Sequence, residues 1–327
     1  MTPDLPVPLR VAIDRLLEGV TRKGLADRAG RISETYRKGG TSASVVTDAD
    51  EAMAYVLARL PATYAAGIRV LDEVAGLVPA FAPVSLLDAG AGPGGASWAA
   101  VETWSDLKAV TLLDSNRSFL DMATALATEG PEALKSARQV RADLTGAEPF
   151  PTADLVVASY ALAEIREDKQ AALISALWSA CSGVLVLLEP GTPAGYSRLM
   201  AARTDLIAQG AHILAPCPHG LACPLVEPDW CHFRQRLPRS RDHRLAKGAE
   251  LAFEDEKFSY LVVVRVYLAP ASAEARVLAP PQVSKPGIGL KLCTSAGTLS
   301  TVQVPRRDKP AHALARRLDW GDTTGLA

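Results

Sequence analysis

Apolar residues recur at helical spacing through the first eighty residues of the chain. The clearest series are Leu9, Ile13, Leu16, Leu17 and Val20 and, further on, Met53, Val56, Leu57 and Leu60. Such spacing places apolar side chains along one face of a helix. Pro61 predicts the end of one helix and the start of another at Ala62, because proline lacks the amide that a helix interior needs but suits a first turn. We expect a helical N-terminal region over residues 1–80.

Beyond Pro83 the pattern changes to short apolar runs separated by helical stretches. The runs are Val84–Asp88, Ala109–Asp114, Asp154–Ser159 and Val184–Glu189, with a weaker one over Gln139–Ala142. This alternation predicts a parallel sheet with crossover helices, that is, an α/β fold. Each strong run ends in a polar or acidic residue, and an open α/β sheet binds its ligands at that edge. We place this sheet in residues 81–210.

The last third of the chain has two kinds of sequence pattern. A helix is expected from Ala194 to Gln209, and after it comes a segment rich in Cys, Pro, His and Arg without clean periodicity. Ligation by side chains, rather than a hydrophobic core, is the expected source of order in that segment. Strands are then predicted over Phe258–Val266 and Gly289–Val304, the second with a turn at Gly297. Residues 211–327 form the third predicted region.

Composition narrows the class of protein. Hydrophobic residues make up 48% and charged residues 22% of the 327 residues, which is typical of a soluble globular protein. No apolar run reaches about 18 residues, so no membrane span is expected. The first twenty residues carry Asp4, Asp14 and Glu18, unlike an acid-poor transit peptide, so we expect a cytoplasmic protein. With a net charge of −1, only a local basic patch could attract nucleic acid.

A glycine-rich loop, LLDAGAGPGG, follows the first predicted strand and precedes a helix that starts near Gly95. It places Asp88, Gly90, Gly92 and Gly94 at alternate positions. Glycines let a backbone turn tightly and approach a ligand, and the helix N-terminus offers free amides. Taken alone, such a loop also fits a dinucleotide-binding fingerprint or a turn without a cofactor.

The wider pattern, D-x-G-x-G-x-G, resembles the first motif of class I S-adenosylmethionine-dependent methyltransferases. The resemblance implies that Gly90 and Gly92 approach the methionine moiety and that Asp88 orients loop amides or the ligand's amino group. It also implies that Asp114, at the end of the second strand, holds the ribose hydroxyls and that Asp143, after the third, meets the adenine amino group. S-adenosylmethionine is therefore the expected cofactor.

Candidates for catalysis are few. Amino-group methyltransferases often carry an Asn/Asp-Pro-Pro-aromatic motif after the fourth strand, where this chain has Ser-Tyr-Ala-Leu at 159–162. Tyr160 could stack on a base, although without a partner core packing is the favoured interpretation. Glu189 is a candidate general base or ligand contact, with an ordinary strand end as the alternative. Cys181 is expected to be a buried small apolar residue rather than the nucleophile of a 5-methylcytosine enzyme.

Four cysteines are candidate ligands of a metal centre: Cys217, Cys223, Cys231 and Cys293. Four thiolates satisfy both a structural zinc ion and an iron-sulfur cluster. The gaps of five and seven residues exceed those usual in zinc sites, and two of the cysteines precede proline, which tilts the choice slightly towards a cluster. His219 and His232 are competing ligands in a mixed zinc site, and buried, unconnected thiols are the remaining alternative.

Basic residues concentrate in two groups after these cysteines. The first group is Arg234, Arg236, Arg239, Arg241, Arg244 and Lys247, with only Asp242 against it; the second is Arg306, Arg307, Lys309, Arg316 and Arg317. Arginine neutralises phosphates and stacks on bases, so the first group is the predicted RNA-binding surface. A solvated face is the ordinary alternative for such a run. Adjacency to the cysteines favours RNA, because a metal centre could fix an irregular basic loop for docking on rRNA.

Several phrases together resemble the mitochondrial small-ribosomal-subunit methyltransferase-like family and its bacterial relatives. They are LARLPATYAA, LLDAGAGPG, LLEPGTPAGY, the CPH, CPL and DWCHF series, and LKLCTSAG, which cover nearly the whole chain. The resemblance implies a 4Fe-4S cluster on the four cysteines and S-adenosylmethionine binding. It also implies a role in maturation or translation of the small ribosomal subunit.

The expected protein is a class I methyltransferase-type, Rossmann-like α/β domain with a helical N-terminal extension and a Cys-rich C-terminal insert plus strands. We expect a monomer that binds the small ribosomal subunit or its rRNA and that methylates rRNA if it is catalytic. The leading alternative is a non-catalytic ribosome assembly factor. A small-molecule methyltransferase with a structural zinc site is the third possibility.

Overall fold

Four helices build the N-terminal region, as the apolar spacing predicts. They are α1 (Val7–Leu16), α2 (Arg22–Arg37), α3 (Ala49–Ala58) and α4 (Leu60–Leu77). The computed structural model describes residues 3–38, 40–268 and 273–326. Asp48 caps α3 by accepting a hydrogen bond from the Glu51 amide, which favours a helix start. Helix α4 starts before the predicted Ala62 because Pro61 fits its first turn, where amides need no helical partner.

The five strands predicted in the middle of the chain form a parallel sheet. They are β1 (Ser85–Ala89), β2 (Ala109–Asp114), β3 (Arg138–Arg141), β4 (Ala153–Ser159) and β5 (Cys181–Pro190). Their order is β3-β2-β1-β4-β5, so the chain runs outward from β1 on one side and restarts at β4 on the other. Open α/β sheets bind ligands where the order reverses, here in the crevice between β1 and β4. The predicted α/β fold is confirmed.

Helices cover both faces of this sheet. They are α5 (Gly95–Thr103), α6 (Arg117–Ala127), α7 (Glu132–Lys135), α8 (Glu167–Ala180) and α9 (Pro193–Ala208). In β5, Val184, Val186 and Leu188 pack into the core shared with the N-terminal helices, whereas Leu185 and Leu187 pack against α8 and α9. Because side chains alternate between the faces of a strand, burial on both faces requires an uninterrupted apolar run.

Three further strands extend the sheet beyond residue 210. Strand β8 (Phe253–Val264) pairs antiparallel with β5, and β6 (His212–Ala215) and β7 (Phe233–Pro238) both pair with β8. Helix α10 (Arg241–Lys247) connects β7 to β8. The segment without periodicity therefore contains regular elements, and β8 starts before the predicted Phe258 because its acidic beginning pairs with β7. The division at residue 210 stays a prediction, and the sheet runs across it.

A second, smaller sheet follows. Its strands are β9 (Ala275–Val277), β10 (Gln282–Val283), β11 (Gly287–Thr294), β12 (Leu299–Pro305) and β13 (Thr323–Thr324), and the helix α11 (Lys309–Ala315) packs on it. All of its pairings are antiparallel, and β11 pairs with β12, β10 and β9. Gly297 takes a φ of +74° in the predicted turn between β11 and β12. None of the described helices has the length and apolarity to cross a membrane.

Candidate functional site

The glycine-rich loop has the backbone geometry of a tight, ligand-approaching turn. Gly90, Gly92 and Gly94 have φ angles of +76°, +53° and +87°, in the left-handed region that suits glycine. A Cβ atom at Gly90 would lie 2.7 Å from the Cβ of Ala161, which follows β4. The loop therefore crosses the crevice between β1 and β4 in close contact with the segment after β4.

Two predicted acidic residues lie at this loop. Asp88 is 1% exposed and its Oδ2 accepts hydrogen bonds from the amide (3.1 Å) and hydroxyl (2.7 Å) of Ser97 in α5. Burial raises the pKa of Asp88 to about 6. At the end of β2, Asp114 accepts the Gly92 amide at 2.8 Å on one oxygen and the Asn116 amide at 2.8 Å on the other. The structure thus brings Asp114 to the loop and makes Asp88 a link between β1 and α5.

Asp143 lies apart from that pair. Its side chain accepts hydrogen bonds from the amide (2.7 Å) and hydroxyl (2.8 Å) of Thr145, and these bonds lower the pKa of the carboxyl. It is exposed, and the described residues show no hydrogen bond between it and the glycine-rich loop. Its predicted contact with adenine stays a prediction.

The N-terminal region supplies residues beside the glycine-rich loop that the sequence patterns did not single out. The side-chain amide of Asn116, two residues after Asp114, donates to the carbonyl of Val46 at 2.8 Å. On the other side of the crevice, Glu164 accepts the hydroxyls of Ser42 (2.6 Å) and Tyr36 (3.1 Å). Asn116 also caps α6, which is the one local signal that marks it. Its tertiary contact depends on the fold.

Tyr160 has a polar partner that the sequence did not reveal. Its backbone φ is +58°, which is rare for a residue other than glycine, asparagine or aspartate. Its hydroxyl donates to Oε1 of Glu256 at 2.9 Å, and Glu256 lies on β8 with 8% exposure. Burial raises the pKa of Glu256, while the nearby Arg59 guanidinium opposes that shift. The Tyr160 ring is thus anchored inside the protein by its hydroxyl.

The other two catalytic candidates are enclosed. Glu189 is fully buried; Oε2 accepts the Arg198 side chain at 2.6 Å and Oε1 the Ala163 amide at 3.3 Å. Both oxygens therefore hold the segment after β4 and helix α9 in place. Cys181 is 1% exposed, and burial raises the pKa of its thiol to about 12. This agrees with its interpretation as a small buried apolar residue.

The four candidate ligand cysteines line one cleft: Cys217, Cys223, Cys231 and Cys293. The first follows β6, the third precedes β7, and the fourth lies on β11 of the second sheet. The antiparallel pairing of β6 and β7 with β8 thus assembles three loop cysteines against a strand of the other sheet. Among the described residues, no group of three His, Cys, Asp or Glu side chains is placed to hold a single metal ion.

Burial and mutual proximity raise the pKa of three of these thiols. Burial is the main cause that raises the pKa of Cys217 and Cys231, and neighbouring thiols add to it. The pKa of Cys293 rises to about 12 for the same reasons. Metal ligands must be thiolates, so binding at this cleft releases protons.

The two histidines near the cysteines differ in position. Nε2 of His219 lies 3.3 Å from the Sγ of Cys293, and the hydroxyl of Tyr196 lies 3.2 Å from the Sγ of Cys223. His232 instead stacks on Trp230, with ring centres 4.9 Å apart, and contacts that residue's carbonyl. Only the first histidine is therefore directed at the cleft.

Several members of the first basic group form ion pairs with acidic side chains. Strand β8 begins with acidic residues, and its register with β7 sets Arg236 opposite Asp255. These two form a bidentate pair at 2.8 Å. Glu254 binds Arg239 at 3.1 Å and also Lys247. The RNA-binding role of this group stays a prediction, but the count of acidic residues near the run missed a partner strand some fifteen residues farther along the chain.

The other residues of the first basic group are also only partly accessible for binding phosphates. Arg241 is exposed, whereas the Nε of Arg244 is buried without a hydrogen-bond partner. The side chain of Arg234 is 40% exposed and lies over the Trp320 ring, 6.0 Å from its centre. Few of these six charges therefore face solvent unpaired.

The second basic group is open to solvent. It lies around α11 and the end of β12, and its members are Arg306, Arg307, Lys309, Arg316 and Arg317. All five are exposed, and none forms an ion pair with an acidic side chain in the part of the chain that the structure describes. This group, rather than the first, has the free positive charge that attracts phosphates.

Solved structures of methyltransferases match about three fifths of the chain at low similarity. Magnesium protoporphyrin IX methyltransferase from Synechocystis PCC 6803, solved with bound S-adenosylmethionine, is 18% identical with a TM-score of 0.39 and covers 61% of this chain and 80% of its own. Precorrin-6y C5,15-methyltransferase from Geobacter metallireducens is 15% identical with a TM-score of 0.40, covering 61% and 87%. Similarity at this level carries no argument about cofactor or substrate.

Curated relatives match more of the chain. The human ribosome assembly protein METTL17, mitochondrial, is 29% identical, and the match covers 83% of this chain and 61% of the relative. Two Rsm22-cox11 tandem proteins, mitochondrial, from Schizosaccharomyces pombe are 26% identical over 86% of this chain and 44% of their own length. The chain thus spans about half the length of the relatives it matches.

These names contradict the cytoplasmic location expected from the sequence, because all three relatives are named as mitochondrial. The acidic residues behind that expectation lie in and beside α1, whose Leu9 and Ile13 are buried in the core. The composition of this segment therefore reflects the packing of a helix and does not decide the compartment.

A family profile also matches most of the chain. It is described as mitochondrial small ribosomal subunit Rsm22 and matches residues 49–324. The match includes the glycine-rich loop, the four cysteines and the second sheet. With this extent matched, the chain belongs to the Rsm22 family of the mitochondrial small ribosomal subunit.

Proposed function

We propose that the chain is an S-adenosylmethionine-binding, iron-sulfur-cluster-containing protein that associates with the small ribosomal subunit or its rRNA and serves in its assembly. The observation that carries the proposal is the single cleft lined by four cysteines beside the methyltransferase-type sheet. The name of the human relative, a ribosome assembly protein, supports the assembly role.

The cofactor loop supports S-adenosylmethionine binding. Gly90 and Gly92 bring backbone, not side chains, to the crevice, so a ligand can approach closely. Asp114 at the end of β2 has two oxygens, each with acceptor capacity beyond its one loop amide, and would accept the ribose hydroxyls. S-adenosylmethionine, when bound, supplies a methyl group activated by its sulfonium. Asp88 holds α5 in place and Asp143 is proposed for the adenine amino group.

The cysteine cleft suits a 4Fe-4S cluster better than zinc. A single zinc ion needs four ligands within about 2.3 Å, which would bring the sulfurs into mutual contact. No three donors among the described residues are arranged in that way, although all four thiols line the same cleft. A cluster has four metal atoms and therefore accepts more widely spaced thiolates. When bound, it would cross-link the loops around β6 and β7 to the second sheet.

The enclosed state of the catalytic candidates favours an assembly role over methyl transfer. Tyr160 is bonded to Glu256, both oxygens of Glu189 are engaged, and the Pro-Pro motif is absent. No described residue of this set is free to accept a proton from a base. Methylation of rRNA is the second candidate function, supported by the left-handed glycines of the cofactor loop.

Metal analysis tests the proposal most directly. The full chain, purified without oxygen, is expected to show broad visible absorption and about four irons and four sulfides per chain. Cys293→Ser should lose the iron, because it removes one of the four ligands. Cys181→Ser is the matched control and should keep it, since Cys181 lies in the core outside the cleft.

Stoichiometric zinc without iron or sulfide would reject the cluster and favour a structural zinc site. Equal iron loss in both cysteine variants would mean that the cleft is not the binding site. Sedimentation of the wild-type protein with small ribosomal subunits is the companion measurement, and free migration at low salt would reject the proposed partner.

A further inference from the structure

Arg203 is a buried cation without an acidic partner in the part of the chain that the structure describes. It lies on α9 with 5% exposure. One terminal nitrogen donates to the carbonyls of His219 (2.9 Å) and Leu221 (2.8 Å). Its Nε is buried and has no hydrogen-bond partner. An unpaired buried charge is costly, so a nearby anion would stabilise this guanidinium.

Arg203 contacts the ligand loop of the cleft, because the two carbonyls that it bonds belong to residues 219 and 221, which lie between Cys217 and Cys223. Burial raises the pKa of Cys217, and the Arg203 guanidinium opposes that shift. It acts in the same direction on Cys293. The other buried guanidinium at the cleft, Arg276, already has an acidic partner, Glu73 on α4. Of these two buried guanidinium groups, Arg203 is the one that has no acidic partner among the described residues.

We propose that Arg203 is the counter-cation of the four-cysteine cleft, balancing the negative charge of the cysteines when they bind metal as thiolates. The same side chain holds the carbonyls of residues 219 and 221, between Cys217 and Cys223, so it also positions the ligand loop. This inference rests on the proposed cluster for its anion. Arg203 is a positioning residue, because it acts through the ligands.

A double-mutant cycle in the metal-free full chain tests the uncompensated charge without any cluster. Cys217→Asp places a carboxylate beside Arg203, and Cys217→Asn is its neutral match. The aspartate variant is expected to melt at least about 2 °C higher at pH 7. The difference should vanish when Arg203→Gln is added, because the carboxylate then has no cation to compensate.

Iron retention tests the role in the loaded protein. Arg203→Gln keeps a side-chain donor and removes the charge, and we expect it to weaken cluster retention against a chelator about 10- to 100-fold. Arg203→Lys keeps the charge and should recover most of the retention. Circular dichroism of the same samples verifies that the variants are folded.

Three results would overturn the inference, and a fourth, given after them, would reject the charge role. They are equal melting of the Asp and Asn variants, a difference that persists with Arg203→Gln, or loaded Arg203→Gln that retains iron as the wild type does. Equal loss in the Gln and Lys variants would also reject the charge role and leave only the hydrogen bonds. If the wild type binds no iron, the proposed cluster fails, while the metal-free cycle still decides whether Arg203 lacks a partner.

Discussion

Gly90 and Gly92 share a left-handed backbone but differ in the space around them. A Cβ atom at Gly90 would lie 2.7 Å from Ala161, whereas at Gly92 nothing lies within 4 Å. The φ angles are +76° and +53°, so both positions strain any other residue. Two alanine substitutions can therefore separate backbone strain from steric overlap at the cofactor loop.

Gly90→Ala is expected to destabilise the protein more than Gly92→Ala. Both variants carry backbone strain of roughly 1–2 kcal/mol, and the first adds about 1–3 kcal/mol from overlap with Ala161. Urea unfolding measures the difference, and calorimetry should show S-adenosylmethionine binding lost in Gly90→Ala. Equal stability of the two variants would mean that the segment after β4 moves aside.

At the scale of elements, the acidic side chains at the start of β8 neutralise basic side chains in and beside β7 and α10. Glu254 has a 13% exposed side chain that meets Arg239 and Lys247 and lies 3.3 Å from Nε2 of His243. The Arg236–Asp255 pair beside it is more open, with side chains 52% and 28% exposed. Partly buried charge-assisted bonds contribute more than solvent-screened ones, so the two pairs differ in strength although they share a strand.

The Glu254 interactions predict a stability that depends on acid pH. Burial opposes ionisation of Glu254, but the nearby side chains of His243, Lys247 and Arg239 outweigh burial and lower the pKa of the carboxyl. A lowered folded pKa stabilises the protein above the ordinary glutamate value of about 4.3. That stabilisation is lost as the pH falls through the folded pKa.

Glu254→Gln should therefore cost about 1–3 kcal/mol at pH 7 and flatten the fall in stability below about pH 4. Asp255→Asn is the matched control and should cost about 0–1 kcal/mol. Urea unfolding between pH 3 and 7 measures both. A larger loss in the control, or an unchanged pH profile in Glu254→Gln, would contradict this account.

At the scale of the whole molecule, two sheets meet at the cysteine cleft while free positive charge lies on the second sheet. Arg276 of β9 ties the sheets together: it donates to the carbonyls of Pro216 (2.8 Å) and Gly321 (2.6 Å) and pairs with Glu73 of α4. A metal centre in this cleft would therefore brace the sheet that carries the exposed basic group around α11. Under the proposed function, this arrangement would relate cluster loading to RNA association.

The second basic group is expected to dominate salt-dependent binding to small-subunit rRNA. Alanine at Arg306, Arg307, Arg316 and Arg317 should weaken binding and reduce the salt slope by about 0.7 for each phosphate that is no longer neutralised. Arg236→Ala is the matched control, because its charge is already paired with Asp255. Filter binding across a salt series measures both, and a larger slope change in the control would return the RNA surface to the first basic group.

The sequence pattern determined those features that depend on neighbouring residues along the chain. Apolar spacing predicted the helical N-terminal region and the five strands of the parallel sheet, since side-chain periodicity follows directly from helix and strand geometry. The glycine-rich loop was recognisable for the same reason: its left-handed conformations need glycine. Residues 217, 223, 231 and 293 were identified as a set, because cysteine is a scarce residue with few chemical uses.

Tertiary structure alone decided which distant groups meet. Glu256 reached Tyr160, and Glu254 and Asp255 reached the first basic group, through the register of β8 with its neighbours. Through the docking of α9, Arg203 came to lie beside the cysteines with no acidic partner among the described residues. Pairing of charges depends on separation in space and on burial, neither of which a local pattern of residues records.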